Sequence, residues 1–361
     1  MSNKKTIILA AGGTGGHFFP AIALAEELAK SEHDIHLLTD RRCKKYITNE
    51  MPIIPHIANL HIKMSSLFNK IKSAYQLIIE CMKSIILFLK IKPSIIIGFG
   101  GYPSFPAMLA ASFLKVPIII QEQNCFLGKS NRIFAKHAKY IALSYKETSN
   151  ISSEYKEKII HTGDIIRESI KNLPEKKLFD SKIFNLFVVG GSQGALVFSK
   201  IIPQTIEALK KLKPEVQIKI TQQVSDDHKP QILETYNKLG IECRLQSFFH
   251  NINDIYSETD LVIARSGAST IAELTSIGLP AIFIPLPHAM EDHQTFNAMA
   301  LVDNNASWCY TQKDVTPDIL AKKLHELITN RHLIKQASKN LIKRKTNGTE
   351  YLADTVLKII E

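Results

Sequence analysis

The residues with the clearest chemical potential in this chain form a glycine-rich loop, residues 12–17 (GGTGGH). The loop follows an apolar run at residues 6–11 and precedes a segment of helical composition at residues 21–30. Glycine lets the backbone approach a ligand closely, and the first N–H groups of a helix attract negative charge. The spacing does not match the dinucleotide-binding pattern G-x-G-x-x-G, because Phe18 stands where the third glycine would fall. The loop therefore predicts a site for another anionic ligand, with a ligand-free turn as the alternative.

Two more glycine loops repeat this arrangement. Residues 98–104 (GFGGYPS) follow the apolar run at 94–97, and residues 190–195 (GGSQGA) follow the run at 185–189. Because the loops at 98–104 and 12–17 belong to the same half of the chain, both should lie at one edge of one sheet. There their N–H groups could hold a diphosphate. The loop at 190–195 opens the second half of the chain as 12–17 opens the first.

Polar side chains follow two other predicted strands. Residues 121–124 (QEQN) come directly after the run at 116–120 and suit the recognition of sugar hydroxyls, although a solvated polar loop has the same composition. Residues 265–273 follow the run at 260–264 and predict a helix start that binds a phosphate or a sugar. Within that helix Glu273 could accept hydrogen bonds from both hydroxyls of a ribose. The alternative is an acid that only caps the helix.

Length and composition indicate an ordinary globular protein with about two domains. The chain has 361 residues, of which 45% are hydrophobic and 22% charged, and a domain typically has ~150 residues. The five cysteines include no C-x-x-C pair, which indicates reduced thiols in a cytoplasmic protein rather than disulfides or a zinc site. The chain passes from Met1 directly into the first strand, so no signal peptide is expected. No spacing is typical of metal ligands, and we expect neither a metal nor another cofactor.

Apolar strand-like runs alternate with helix-length segments along the whole chain, a pattern typical of α/β proteins with parallel sheets. We predict two Rossmann-like domains, residues 1–163 and 164–345, with a C-terminal helix at about 346–361 that could pack on either domain. Ligands of such sheets bind at the carboxyl ends of the strands, so two facing edges would form one deep cleft. The predicted strands are residues 6–11, 35–39, 94–97, 116–120, 140–143, 158–161, 185–189, 216–221, 241–245, 260–264, 281–285 and 307–310.

The positive charge of the chain is concentrated in its first half. The net charge is +11, with 21 lysines and arginines against 11 acidic residues in 1–163 and 24 against 23 in the remainder. An anionic membrane, an anionic substrate or nucleic acid could each explain this excess. We expect no nucleic acid, because the basic residues accompany an aliphatic segment rather than an aromatic surface.

That aliphatic segment, residues 64–92, has helical periodicity. Its longest uninterrupted apolar run covers only residues 85–89, far less than the ~20 residues that span a bilayer. A helix buried against the sheet would explain its apolar face. A helix that docks on anionic lipid would explain both the apolar face and the lysines around it. The predicted apolar face comprises Leu67, Ile71, Ala74, Ile78, Met82, Ile85 and Leu89.

Taken in order, the motifs resemble those of the MurG family, the peptidoglycan glycosyltransferases that convert lipid I to lipid II. The resemblance implies a GT-B fold, UDP-N-acetylglucosamine (UDP-GlcNAc) as donor and undecaprenyl-diphosphate-MurNAc-pentapeptide (lipid I) as acceptor. It further implies an inverting transfer of GlcNAc to the MurNAc 4-hydroxyl by a peripheral protein at the cytoplasmic face of the bacterial inner membrane. The motifs that carry the resemblance are residues 12–17 with Pro20, 98–102, 122–124, 190–195, 265–273 and 293–294.

The resemblance also implies roles for single residues. Glu273 would bind the ribose, and Phe249 would stand where the family contacts uracil through its backbone. Ser192 and Arg167 would hold the donor diphosphate. The acceptor diphosphate would meet the glycine loops of the first domain at Gly13, Gly100, Gly101 and Tyr102. The remaining contacts around the GlcNAc and the reacting centre would come from Thr14, Gly15, Gly16, Asn124, Ala268, Ser269, Thr270, Ile271, Ala272 and Gln294.

The implied transfer requires a base for the attacking hydroxyl. His17 is the preferred candidate, because an ordinary histidine has a pKa of ~6.5, and Glu122 is the second. Alternatively, a histidine at a helix start could only donate to a phosphate oxygen. A helix N-terminus with Ser192 and Arg167 could stabilise the leaving diphosphate in place of a metal ion.

The chain departs from the family pattern at two points. The family's Gly-Asn-Pro-x-Arg between the domains is GDIIR here, residues 163–167, so the proline that restricts φ is lost and Asp164 adds a negative charge. The family's His-Glu-Gln-Asn begins with Gln121 here, which is not expected to act as a base. The alternative function is a UDP-GlcNAc epimerase, or another nucleotide-sugar enzyme without a lipid acceptor. Such an enzyme would not need the basic apolar helix.

Overall fold

The structure, a computed structural model, describes residues 4–60, 66–175, 182–287, 289 and 292–361, without the side chains of residues 67, 68, 70 and 191–195. The chain divides into two compact units. The first comprises Met1–Glu168 with Thr346–Glu361, and the second comprises Ser169–Lys345. The division therefore falls after Glu168, whereas the sequence places it after residue 163.

Each unit is built on a parallel β-sheet. The first sheet has seven strands in the order β3-β2-β1-β4-β5-β6-β7, and the second has six in the order β10-β9-β8-β11-β12-β13. The strands are β1 (Thr6–Ala10), β2 (Asp34–Asp40), β3 (Ile54–Ala58), β4 (Ile95–Gly98), β5 (Ile118–Glu122), β6 (Tyr140–Leu143), β7 (Ile159–His161), β8 (Phe184–Val189), β9 (Ile218–Gln223), β10 (Glu242–Gln246), β11 (Leu261–Ala264), β12 (Ala281–Phe283) and β13 (Trp308–Cys309).

Helices connect most of the consecutive strands, as is usual for parallel sheets. The first helix begins at Gly15, six residues before its predicted start, so the glycine loop supplies its first turn. The helices are α1 (Gly15–Leu28), α2 (Leu67–Ile91), α3 (Phe105–Leu114), α4 (Lys129–Phe134), α5 (Glu168–Lys171), α6 (Gly191–Leu212), α7 (Lys229–Lys238), α8 (Ile252–Glu258), α9 (Ala268–Ile277), α10 (His293–Val302), α11 (Pro317–Thr329), α12 (Arg331–Ile342) and α13 (Gly348–Ile360).

The predicted fold class is confirmed, with two Rossmann-like parallel sheets. All twelve predicted strands form, with bounds that shift by at most two residues. Strands buried on both faces read as continuous apolar runs, and Ile7, Leu9 and Ile97 in the first sheet are fully buried. The sequence reading missed β3, an edge strand whose Ile54 and Ile57 are exposed. Such a strand lacks the apolar signal of a buried one.

The C-terminal helix α13 belongs to the first unit. It packs against α1. The hydroxyl of Thr349 accepts a hydrogen bond from the Ile166 N–H (2.9 Å) and donates one to the Ile166 carbonyl (3.0 Å). The hydroxyl of Thr346 accepts from the Asp164 N–H at 2.9 Å. These bonds tie the end of the chain to the segment around residue 165.

Helix α2 presents its apolar side to solvent. Ile71, Ile78 and Leu89, all on the predicted apolar face, are 63%, 59% and 60% exposed. The interpretation that this face is buried against the sheet is therefore wrong for these residues. The inner side of α2 is mixed: Ser73, Glu80, Cys81, Ser84 and Phe88 are buried. Ile85, the one described residue of the predicted apolar face that packs against the core, does so together with Leu87 and Ile91. We call the exposed side the α2 outer face: Ile71, Tyr75, Ile78, Met82, Ile86 and Leu89.

No helix in the described part of the chain combines the length and the apolar composition needed to cross a membrane.

Candidate functional site

The carboxyl ends of neighbouring strands bring the two glycine loops of the first unit together. Strands β1 and β4 pair directly, so the loops that follow them start side by side. A Cβ placed on Gly101 would lie 2.7 Å from the Gly12 carbonyl oxygen, and the φ of Gly101 is +75°. Only glycine fits such a contact and such a backbone angle without strain. The predicted meeting of the two loops at one sheet edge is therefore confirmed.

The imidazole of His17 lies between these loops and the polar segment after β5. Its Nδ1 is 3.3 Å from Oε1 of the buried Gln123. The Gln123 Nε2 donates to the Phe99 carbonyl at 3.2 Å, and a carbonyl can only accept. The Oε1 of Gln123 therefore faces His17 and accepts a hydrogen bond from its Nδ1–H. In this tautomer Nε2 is the basic nitrogen of the ring, as general-base catalysis requires.

Two glycines give the ring of His17 its space. A Cβ on Gly100 would lie 3.5 Å from the histidine Cε1, and one on Gly101 would lie 3.3 Å from Cδ2. The residue sits in the first turn of α1, just after the N-cap Thr14, whose side chain makes no capping hydrogen bond. The first N–H groups of α1 and the imidazole thus stand at the same edge of the sheet.

The carboxylate of Glu122, the last residue of β5, is buried and surrounded by donors. Its Oε1 accepts from the backbone N–H and the side-chain Nδ2 of Asn124, at 3.1 and 2.9 Å. Its Oε2 accepts from the Gly128 N–H at 2.9 Å and from the Asn131 Nδ2 at 2.8 Å. Four donors hold the carboxylate in place and fix the loop from residue 122 to residue 131. This arrangement favours a positioning role for Glu122, and it orients Asn124.

Arg42 also lies at this edge of the first sheet, although nothing in the sequence predicted it there. It follows Asp40, the end of β2, and its guanidinium lies 4.7 Å from the centre of the Tyr102 ring. Burial raises the pKa of the Tyr102 phenol, so this side chain stays protonated at neutral pH. No local motif marks Arg42, because its neighbours in space, Gly13 and Tyr102, lie on other strand ends.

In the second unit the start of α9 is the candidate donor site. Gly267, in extended conformation, caps the helix, and Ile271 and Ala272 face the core. Their side chains are therefore not available to a ligand, whereas the N-terminal backbone of α9 carries N–H groups that suit one. The Ser266 hydroxyl donates to the Gln294 carbonyl at 2.7 Å, which joins this turn to α10. Ser192, at the start of α6, has its side chain outside the described set.

Glu273 and Phe249 are linked through an aromatic cluster. The hydroxyl of the buried Tyr256 donates to the Glu273 Oε2 at 3.0 Å. The rings of Tyr256 and Phe249 both meet Phe187 edge-on, with centroids 6.1 and 5.7 Å away. The guanidinium of Arg244 lies 5.5 Å from the centre of the Phe249 ring. The structure thus brings together the two residues predicted to contact the ribose and the uracil.

Comparisons with known proteins place this site in a family. Residues 7–143 match the glycosyltransferase family 28 N-terminal domain, and residues 185–355 match the family 28 C-terminal domain. A protein of Rickettsia canadensis (strain McKiel) is 48% identical, and one of Rickettsia bellii (strain RML369-C) is 45% identical. Both alignments cover 99% of this chain and 100% of the relative. Both relatives are named UDP-N-acetylglucosamine–N-acetylmuramyl-(pentapeptide) pyrophosphoryl-undecaprenol N-acetylglucosamine transferase.

A solved structure has the same architecture. The crystal structure of Acinetobacter baumannii MurG superposes with a TM-score of 0.77 at 28% identity, covering 98% of this chain and 99% of that chain. The chain belongs to the MurG family of glycosyltransferases. The predicted family and the GT-B fold are thereby confirmed.

The structure gives two arginines of this MurG family member surroundings that the sequence did not predict. Arg167, predicted at the donor diphosphate, belongs to the first unit, where its guanidinium lies 4.7 Å from the centre of the Phe19 ring. Arg265 is buried and donates to the carbonyls of Ile284 and Pro285, both at 2.8 Å. Burial lowers the pKa of the Arg265 guanidinium. We infer that Arg265 ties the ends of β11 and β12 together, because carbonyls occupy its Nη1.

Among the residues that the structure describes, no three His, Cys, Asp or Glu side chains are grouped so that they could hold a metal ion.

Proposed function

We propose that this protein transfers GlcNAc from UDP-GlcNAc to the MurNAc 4-hydroxyl of lipid I, with inversion at the anomeric carbon, and so makes lipid II. The observation that carries the proposal is the 45–48% identity, over essentially the whole chain, to relatives named for this transfer. The His17 site supports it, because an inverting displacement needs a base beside the attacking hydroxyl.

In the proposed reaction His17 Nε2 removes the proton of the MurNAc 4-hydroxyl. The oxygen then forms a bond to C1 of GlcNAc while the bond from C1 to the UDP oxygen breaks, and the bonding pair leaves with UDP. Gln123 keeps Nδ1 protonated and so keeps Nε2 basic. Imidazolium formed in this step lies beside the acceptor and later returns its proton to solvent.

The donor binds in the second unit. Glu273 accepts hydrogen bonds from the 2′- and 3′-hydroxyls of the ribose, and Tyr256 orients its carboxylate for that purpose. The N-terminus of α9, residues 268–270, and Gln294 contact the GlcNAc and the phosphates. The Gln294 Oε1 accepts from the Leu286 N–H at 3.0 Å, so the side chain offers its NH2 group to the sugar. Ser192 and Arg167 are the residues proposed to hold the donor diphosphate.

An assay of UDP release tests the proposed function. We expect the protein to release UDP from UDP-GlcNAc only when a short-chain lipid I analogue is present, with a product heavier than the analogue by one GlcNAc residue. Continuous coupled detection of UDP and mass spectrometry of the product measure this. UDP release, or epimerisation of the sugar, without any lipid-linked acceptor would instead establish the nucleotide-sugar enzyme considered as the alternative.

We also propose that the α2 outer face docks on the anionic surface of the membrane that holds the lipid tail of the acceptor. A contiguous row of apolar side chains exposed along one helix is unfavourable in water and marks a surface that binds a membrane or a partner. Lys72, Lys83 and Lys90 are exposed beside it. Phe113 of α3, the helix that packs on α2, is also exposed. Peripheral helices bind anionic membranes by inserting apolar side chains while flanking lysines contact the anionic lipid headgroups.

The double substitution Ile78→Glu with Met82→Glu should lower binding to phosphatidylglycerol vesicles by at least about 10-fold, because two charges replace inserted apolar groups. Co-sedimentation with vesicles measures the bound fraction, and binding of the unaltered protein should fall as salt is raised. The matched control is Leu233→Glu, which alters an exposed leucine of the second unit. Equal binding to neutral phosphatidylcholine vesicles, unchanged by salt, would contradict the electrostatic part of the proposal.

A further inference from the structure

The guanidinium of Arg42 lies at the glycine loops of the first unit, where the buried Asp40 holds it. Asp40 ends β2, and its side chain is only 1% exposed. Its Oδ2 accepts from Nε of Arg42 at 2.8 Å and also from Nη2, while its Oδ1 accepts from the Arg42 backbone N–H at 3.1 Å. Three hydrogen bonds to one buried carboxylate fix the direction of the guanidinium.

The guanidinium held in this way lies between the two glycine loops. On one side it contacts the ring of Tyr102, which follows the second loop, at 4.7 Å from the ring centre. On the other side a Cβ on Gly13 would lie 3.1 Å from Nη2. Gly13 has a φ of +93°, so the loop adopts a backbone angle that other residues rarely take and keeps this space open to the cation.

The chemistry of this arrangement suits a second anion. Arginine has five N–H donors in a planar fork, and Asp40 takes only part of them. The side chain of Arg42 is 43% exposed, so a ligand can reach the remainder. The start of α1, a helix of 14 residues, adds backbone N–H groups at the same loop. A diphosphate has enough acceptor oxygens to meet the fork and the loop at once.

We propose that Arg42 binds the diphosphate of the lipid-linked acceptor and holds it against the two glycine loops. The proposal rests on the proposed function, because it concerns the acceptor of that transfer. Arg42 acts on binding and positioning, at a distance from the bond that breaks. Its charge serves the acceptor, and the donor diphosphate does not depend on it.

Steady-state kinetics with Arg42→Gln test this assignment. The variant should raise the KM for a short-chain lipid I analogue at least about 10-fold and change the KM for UDP-GlcNAc by less than about two-fold. Arg42→Lys keeps a positive charge but loses the fork, so its acceptor KM should be intermediate. The matched control is Arg41→Gln, which removes the same charge from the neighbouring exposed residue and should behave as the unaltered protein.

A binding measurement separates recognition of the diphosphate from a purely structural role. Geranyl diphosphate, which has the diphosphate but no sugar, should compete with the acceptor in the unaltered protein and lose at least about 10-fold in potency with Arg42→Gln. If circular dichroism shows that Arg42→Gln is unfolded, the same competition measurement with Arg42→Lys tests the assignment instead. An unchanged acceptor KM, or a rise in the donor KM instead, overturns the assignment. Failure of the proposed function would give a different result, because the unaltered protein itself would then release no UDP with the lipid I analogue.

Discussion

Replacing His17 with alanine should lower kcat by more than about 100-fold while the KM for UDP-GlcNAc changes by less than about two-fold. The reason is that the imidazole acts only on the attacking hydroxyl, so its loss raises the barrier without weakening the donor complex. Its Nδ1 is 3.3 Å from Gln123 Oε1, and the Gln123 amide is held in turn by the Phe99 carbonyl. Initial rates at varied donor and acceptor concentrations measure both constants.

The control for this prediction is His137→Ala, which removes an exposed histidine of the same unit and should leave kcat unchanged. A near-normal kcat for His17→Ala would remove His17 from the chemistry. If the acceptor KM rose while kcat held, the histidine would instead be a donor to a phosphate oxygen, the alternative role that the sequence left open. The two outcomes separate base catalysis from anion binding.

Replacing Glu122 with alanine should lower the free energy of unfolding by about 3 kcal/mol and lower kcat by at least about 10-fold. Four N–H donors, from the buried Asn131 and the half-buried Asn124 and Gly128, lose their acceptor when Glu122, only 2% exposed, is removed. Buried donors without a partner cost more than the hydrogen bonds themselves contribute. Urea unfolding measures the stability, and the UDP-release assay measures kcat.

The stability of this variant separates the two roles considered for Glu122. A positioning residue loses stability and activity together, whereas a general base loses activity alone. Glu147→Ala, which alters an exposed glutamate of the same unit, is the control and should unfold as the unaltered protein does. If Glu122→Ala were as stable as that control but inactive, Glu122 would be the base and the positioning role would be wrong.

Much of the fold could be predicted because it depends on local patterns. A strand buried on both faces is a continuous apolar run, and a parallel sheet alternates such runs with helices. The edge strand β3 was not predicted, because Ile54 and Ile57 are exposed and the strand has no continuous apolar run. The start of α1 was predicted too late, since glycines at 15 and 16 signal a loop although they form the first helical turn.

The candidate site was predictable in part for the same reason. His17, Glu122 and the glycine loops lie at or just after the carboxyl ends of strands that the order of the sheet brings together. Arg42 was not predictable, because it contacts Gly13 and Tyr102 only once β1, β2 and β4 lie side by side. Asp40 fixes the direction of its guanidinium, and that pairing carries no recognisable motif.

The class of fold, the position of the glycine loops and the family all follow from the amino-acid sequence. These depend on residue type and spacing, which a chain carries whatever its tertiary structure. That the α2 outer face points to solvent emerges only from the folded molecule, since periodicity defines a helix face but not its surroundings. The same holds for the tautomer of His17, which depends on Gln123 and, through it, on the Phe99 carbonyl. These partners are far apart in sequence, and only packing of the sheet brings them within hydrogen-bond distance.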